Sequence, residues 1–108
     1  MKLPANTIIA PRKAADYLLR FRPEDDKSAF LALAGYTSGD AEKLIVDIRE
    51  QIMPLEAECV EETEYGPKYR IQAKLKGPNG HVLRVVTIWM RESATNQTKF
   101  FTLFPDKL

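Results

Sequence analysis

Lys68, Arg70, Lys74, Lys76 and Arg84 fall at even spacings through residues 68–84, with no acid among them. At the two-residue period of a β-strand, Lys68, Arg70, Lys74 and Lys76 project from one face of one strand, and Arg84 belongs to the next. A face of that kind can hold a phosphate-bearing ligand, provided its cations outnumber the acids nearby. Arg84 is the best placed for this, because it lies one strand farther from the acidic residues, and a guanidinium can grip a phosphate with two parallel hydrogen bonds. The preceding segment, residues 56–64, holds five glutamates and no basic residue. Two readings follow. The basic face is one side of a cross-strand ion-pair ladder, each pair contributing only about 0.2–1 kcal/mol, or it is a floor for a ligand. The short turn between the two segments favours the ladder.

Other reactive side chains are few. His81, the one histidine, opens a strand beside a turn. It is the candidate general base near neutral pH, although a lone histidine at a hairpin end is ordinarily solvated. Trp89 and Phe101 could stack on bases, but aromatic rings in central strands usually belong to the core. Cys59, among glutamates, would have its thiolate disfavoured and reads as a small apolar filler. The chain has no phosphate-binding loop, no GxSxG elbow and no HExxH. One cysteine and one histidine make a metal centre improbable, and no cofactor is expected.

Composition sets the frame around these residues. A chain of 108 residues is expected to form one domain, residues 1–108. With 44% hydrophobic residues it can bury one core of ordinary quality. The net charge of +1, from 16 basic and 15 acidic residues, argues against a surface uniformly coated for duplex binding. No segment approaches the ~18 apolar residues of a membrane span. The apolar run near the start is short and interrupted by Pro4 and Pro11, unlike a signal peptide. A cytoplasmic protein with no membrane contact is the expectation.

The elements that must position the basic face follow from periodicity. Residues 1–9 read as an extended arm. Pro11 suits the first turn of a helix over about 11–20, with Ala14, Tyr17 and Leu18 inward. Asp25 or Asp26 caps a second helix, about 26–34, which Gly35 ends. Thr37 and Asp40 bracket the start of a third, about 39–53, in a capping-box-like arrangement. Its apolar stripe is Ala41, Leu44, Ile45, Ile48 and Ile52, and Pro54 stops it. Strands are predicted over about 56–64, 68–76, 81–90 and 99–104. A YGP turn joins the first two, and Asn79–Gly80 gives a hairpin signal between the next two. Helices before strands predict an α+β domain, with three N-terminal helices packed on one face of a four-stranded antiparallel meander. Ideal alternation puts Phe100, Thr102 and Phe104 on one face of the last strand, and Arg84 and Thr87 on opposite faces of the third.

With the segments placed, the chain resembles a family of small bacterial domains of unknown function. Its members open KLPN, continue with a helix ending DYLL, and carry YGxKY, GPNG and VVTxW. Here these read KLPA at 2–5, DYLL at 16–19, YGPKY at 65–69, GPNG at 77–80 and VVTIW at 85–89, with FFTLFP at 100–105 in place of a final LVTAYP-like strand. Such domains occur alone, beside a small partner gene, or at the ends of toxin-like proteins. Their layout is similar to that of barnase, colicin and RelE-like ribonucleases. The resemblance thus implies a toxin-like ribonuclease ancestry, metal-independent if active, with RNA and a small antitoxin-like protein as partners.

Carried over by position, the resemblance adds Lys27, Thr87 and Thr102 to Arg84 as candidate catalytic residues, with His81 as the weakest member. Lys27 and Arg84 would stabilise charge on a phosphorane, and the threonines would orient a phosphate. The family's histidine after DYLL has no counterpart. RFRPEDDK is two residues shorter than the usual loop, with Asp25 or Asp26 near the missing position. The expectation is therefore a ribonuclease-fold, toxin-like domain, active or catalytically decayed. Its alternatives are an interaction module pairing through a sheet edge or face, the last strand with Phe100, Phe101 and Phe104 being a possible edge, and a nucleic-acid-binding domain without catalysis.

Overall fold

From Glu58 onward the two-residue period governs, and the chain forms four strands: β1 (Glu58–Thr63), β2 (Gly66–Lys76), β3 (Val82–Arg91) and β4 (Thr98–Pro105). They pair as an antiparallel meander in the order β1-β2-β3-β4. The computed structural model describes residues 1–20 and 27–107. The capping role expected of Asp25 or Asp26 falls outside these. Three helices precede the sheet and contact it: a π-helical segment Lys13–Leu18, α1 (Lys27–Ala32) and α2 (Ala41–Gln51). Only α2 is long. The domain is α+β.

Alternation in the strands decides which face the helices cover. Tyr69, Ile71 and Leu75 of β2 and Leu83, Val85, Thr87 and Trp89 of β3 are buried. They meet Leu31 of α1, Leu44 and Ile48 of α2, and Ala14 and Leu18 of the π-helical segment in one core. The α2 stripe expected from periodicity thus faces the sheet, with Ile52 closing it. Burial of such side chains stabilises by about 1.5–3 kcal/mol each. The opposite sheet face carries Lys68, Arg70, Gln72, Lys74 and Lys76 beside Val82, Arg84, Val86, Ile88 and Met90, and it is open.

Several expected details come out differently. The first helix is wider than an α-helix. The Leu19 amide donates to the Ala14 carbonyl at 2.9 Å, five residues back. This wide turn ends with both Leu18 and Leu19 in the core. Asp40 stands immediately before α2, and its carboxylate accepts from the Thr37 amide at 2.7 Å and hydroxyl at 2.8 Å. The reaching-back half of a capping box is present at the expected residues, but the helix begins only after them, at Ala41. Gly66 and Pro67 belong to β2, so the first turn is made at Glu64 and Tyr65. Cys59 is exposed and fills no core space, because β1 is an edge strand lying beyond the helices' cover.

The last strand breaks its own alternation. Trp89 faces Phe100 and Ile88 faces Thr102, so Phe101 is an extra residue with no ladder partner. Phe100 and Leu103 therefore both enter the core, while Thr102 and Phe104 pair with open-face residues. The expected shared face of Phe100, Thr102 and Phe104 does not form. The outer edge of β4 is covered near this bulge. The Ile8 amide donates to the Thr98 carbonyl at 2.9 Å, and the Phe100 amide to the Ile8 carbonyl at 2.8 Å.

Candidate functional site

The β4 bulge collects the side chains with the most chemical potential. Phe101 is 41% exposed. The Lys68 ammonium lies 4.7 Å from its ring centroid and the Lys13 ammonium 5.2 Å. Lys13 also donates to the Phe101 carbonyl at 3.0 Å and lies 5.1 Å from the Tyr17 ring. On Tyr17 a second cation approaches, with the Lys27 ammonium 5.0 Å from the centroid. The Tyr17 and Thr102 hydroxyls share a hydrogen bond of 3.2 Å. Each cation over a ring is worth about 0.5–1 kcal/mol when exposed. The arrangement puts positive charge around two aromatic faces at one rim of the sheet.

Beside Phe101 runs an open groove of about 630 Å³, lined by Glu64, Tyr65, Met90, Glu92, Ser93 and Ala94. Tyr65 is 68% exposed. Glu92 is held below the usual carboxylate range by the Lys99 ammonium, 3.1 Å away, and by the Thr95 hydroxyl.

The ladder forms over one half of the basic face only, and the other half is left without it. Glu58 sits opposite Arg70 and bonds its guanidinium, and Glu61 sits opposite Lys68 with 4.0 Å between the charged groups. β1 pairs with β2 only over residues 66–70. Lys74 and Lys76 lie beyond its reach. Lys74 is the direct cross-strand partner of Arg84, and both are exposed. Neither has a carboxylate partner among the described residues.

The candidate residues carried over by resemblance do not share one surface. Lys27 and Thr102 meet through Tyr17 at the β4 rim. Arg84 lies at the far end of the open face. Thr87 points into the core, fully buried. It donates to the Ile71 carbonyl at 3.0 Å and accepts from the Trp89 indole at 2.8 Å. Its hydroxyl satisfies the buried indole N–H. His81 is exposed beside the Asn79–Gly80 turn, where its amide bonds the Asn79 side chain at 2.8 Å. Trp89 is wholly core, packed edge-on to Phe100 at 5.2 Å. Lys13 carries no sign of its role in the sequence, while Tyr17 packs partly against the core as its helical position predicts. The adjacent apolar pair Phe100–Phe101 followed by Leu103 was the available sign of a bulge.

Architecture and surface define a class: a small α+β domain whose helices cover one sheet face while the other presents cations and aromatic rings. Within that class the chain belongs to the family described as a domain of unknown function (DUF6883), matched over residues 2–107. That description carries no activity and no link to ribonuclease toxins. No curated protein and no solved structure matches the chain. Among the described residues no cluster of His, Cys, Asp or Glu could hold a metal ion, and no helix is long and apolar enough to cross a membrane.

Proposed function

We propose that this domain binds single-stranded RNA on the open face of its sheet. The observation that carries the reading is Phe101, an exposed ring outside the strand ladder with an ammonium approaching from Lys68 and another from Lys13. A base stacked on such a ring gains about 1–3 kcal/mol whatever its identity, and Lys13 would meet an adjoining phosphate, while Lys68 is shared with Glu61 4.0 Å away. Phe104, also exposed on this face, offers a second ring. RNA, in preference to DNA, follows from the ribonuclease-like layout that the sequence resembles. The test is fluorescence anisotropy of a labelled single-stranded RNA across a salt series. Binding should weaken steeply with salt, and Phe101→Ala should weaken it about tenfold or more. No binding at low salt, or full binding by the variant, would overturn the reading.

One observation favours cleavage as a second reading: Lys27 and Thr102 meet at Tyr17. Lys27 is only 7% exposed, so its ammonium and the two hydroxyls would neutralise and orient only a phosphate that displaced its present contacts. The position where the family pattern has its histidine falls near Asp25 and Asp26, outside the described residues. Incubating the same RNA with the wild type and Lys27→Ala tests this directly. Intact RNA after prolonged exposure to the wild type removes the enzyme reading and leaves the binding one.

A further inference from the structure

Two cations stand directly opposite each other on the open face. Lys74 of β2 and Arg84 of β3 are Cα partners in the antiparallel register, a geometry that brings Cβ atoms to roughly 4.5–5.5 Å. Like charges so placed oppose folding. Their neighbours do not relieve them. On one side the next pair is Gln72 and Val86, and on the other it is Lys76 and Val82, which adds a third cation. The same sheet neutralises Lys68 and Arg70 with glutamates, and it stops doing so where β1 ends. The pair lines a groove of about 590 Å³ with Gln51, Leu55, Gln72 and Asp106. Asp106 is the one carboxylate among these lining residues, and its amide is tied to the Arg84 carbonyl at 3.0 Å.

We propose that Lys74 and Arg84 form a phosphate clamp. A phosphate between them converts the repulsion into two attractions. The guanidinium fork takes two of its oxygens and the ammonium takes a third as a point charge, with the Gln72 amide on the same face as a neutral donor. The clamp deepens the RNA reading and rests on it for the ligand's identity. Along β2 it lies six residues from Lys68, roughly 20 Å from the Phe101 platform. A strand held at both places must span several nucleotides, so dinucleotides reach only one of them.

The experiment uses the whole chain, Lys74→Gln, Arg84→Gln and Phe101→Ala. Thermal midpoints are read in inorganic phosphate and in chloride of equal ionic strength. In chloride, each clamp variant should melt about 2 °C above the wild type, because the repulsion is gone. In phosphate, the wild-type midpoint should climb and the variants' should not. RNA binding is then compared for a dinucleotide and a hexanucleotide. Arg84→Gln should weaken the hexanucleotide about tenfold and leave the dinucleotide unchanged. Equal phosphate responses in wild type and variants overturn the clamp. So does hexanucleotide binding that Phe101→Ala weakens and neither clamp variant does, which leaves the RNA reading standing. A phosphate response confined to the wild type, without RNA binding, keeps the clamp and overturns the RNA reading.

Discussion

The Lys13 ammonium donates to the carbonyl of Phe101 at 3.0 Å while lying 5.2 Å from the same residue's ring. Two irregularities meet in that contact. The bulge leaves Phe101 without a cross-strand partner, so its carbonyl needs another donor. The π-helical segment supplies one from Lys13, whose ammonium also lies 5.1 Å from the Tyr17 ring. Both features also serve the core, the bulge by admitting Phe100 and Leu103 and the turn by ending at buried Leu18 and Leu19. Their joint effect is to hold an aromatic ring, a carbonyl and a cation in fixed relation at the rim of the sheet. π-Helical turns are often found at functional sites, and here the turn is what brings a second lysine to Phe101.

Adjacent phenylalanines should therefore behave oppositely. Phe100→Ala empties a core site against Trp89 and should destabilise by about 3–5 kcal/mol, measured by urea denaturation. Phe101→Ala should cost only about 1–2 kcal/mol, since it forfeits two exposed cation contacts. Its loss should appear in RNA binding instead. Equal destabilisation by the two substitutions would mean that Phe101 is a core residue.

The same pair shows where sequence legibility ends. The α2 stripe and the buried face of β2 could be read from spacing, because each repeats one period over at least three positions. Thr87 and Arg84 were correctly separated onto opposite faces by parity alone. A bulge inserts one residue and reverses parity, so the faces of Phe101 and Thr102 were not readable from alternation. The π-helical turn escaped for another reason: adjacent buried Leu18 and Leu19 fit an α-helical stripe equally well, so spacing does not distinguish the wider turn. The split of the basic face was hidden because it depends on where β1 stops pairing, a matter of strand length and not of residue type. Lys27, Thr102 and Tyr17 come together across the chain, and single-sequence periodicity carries no signal for that.

Tyr36 and Asp47 supply a prediction about the core. The Tyr36 hydroxyl donates to the Asp47 carboxylate at 2.6 Å, and Lys43 approaches the other oxygen at 3.0 Å. Asp47 is only 3% exposed. Burial, then the hydrogen bond and the charge of Asp47, push the phenol's pKa far up, so it remains a donor throughout the working range. Tyr36→Phe keeps the ring and removes that donor from a buried carboxylate. It should destabilise by about 1–3 kcal/mol, read as a lowered urea midpoint with an unchanged slope. A neutral result would show that water replaces the phenol.

Acid should act partly through Asp40. The Thr37 amide and then the Thr37 hydroxyl hold its carboxyl below the usual range. A depressed folded-state pKa stabilises fully above the usual carboxylate range, and that contribution fades as pH falls through the folded value. Asp40→Asn should therefore lower stability at neutral pH and flatten its decline in acid. Thermal midpoints of both proteins from neutral pH into the acid range check the sign. Parallel curves would exclude Asp40 from the acid response.

Gly66 should tolerate no side chain. Its φ of +135° is a backbone region that side chains disfavour, and a Cβ there would stand 1.8 Å from the Arg91 carbonyl oxygen. Strain and overlap together should make Gly66→Ala cost about 2–5 kcal/mol. Gly39, with nothing within 4 Å of its Cβ position, is the matched control, and Gly39→Ala should stay within about 0.5 kcal/mol. The corner also bears on the proposed site. The Ser93 amide donates to the Tyr65 carbonyl at 2.9 Å beside Gly66, and both residues line the groove next to Phe101. A shift of Arg91 away from a new methyl would move the β3–β4 loop that carries Ser93 and Ala94. Gly66→Ala should then weaken RNA binding even at temperatures where it remains folded. Urea midpoints and anisotropy on the same samples separate the two effects: unchanged affinity in the folded variant would show that the groove takes no part in binding.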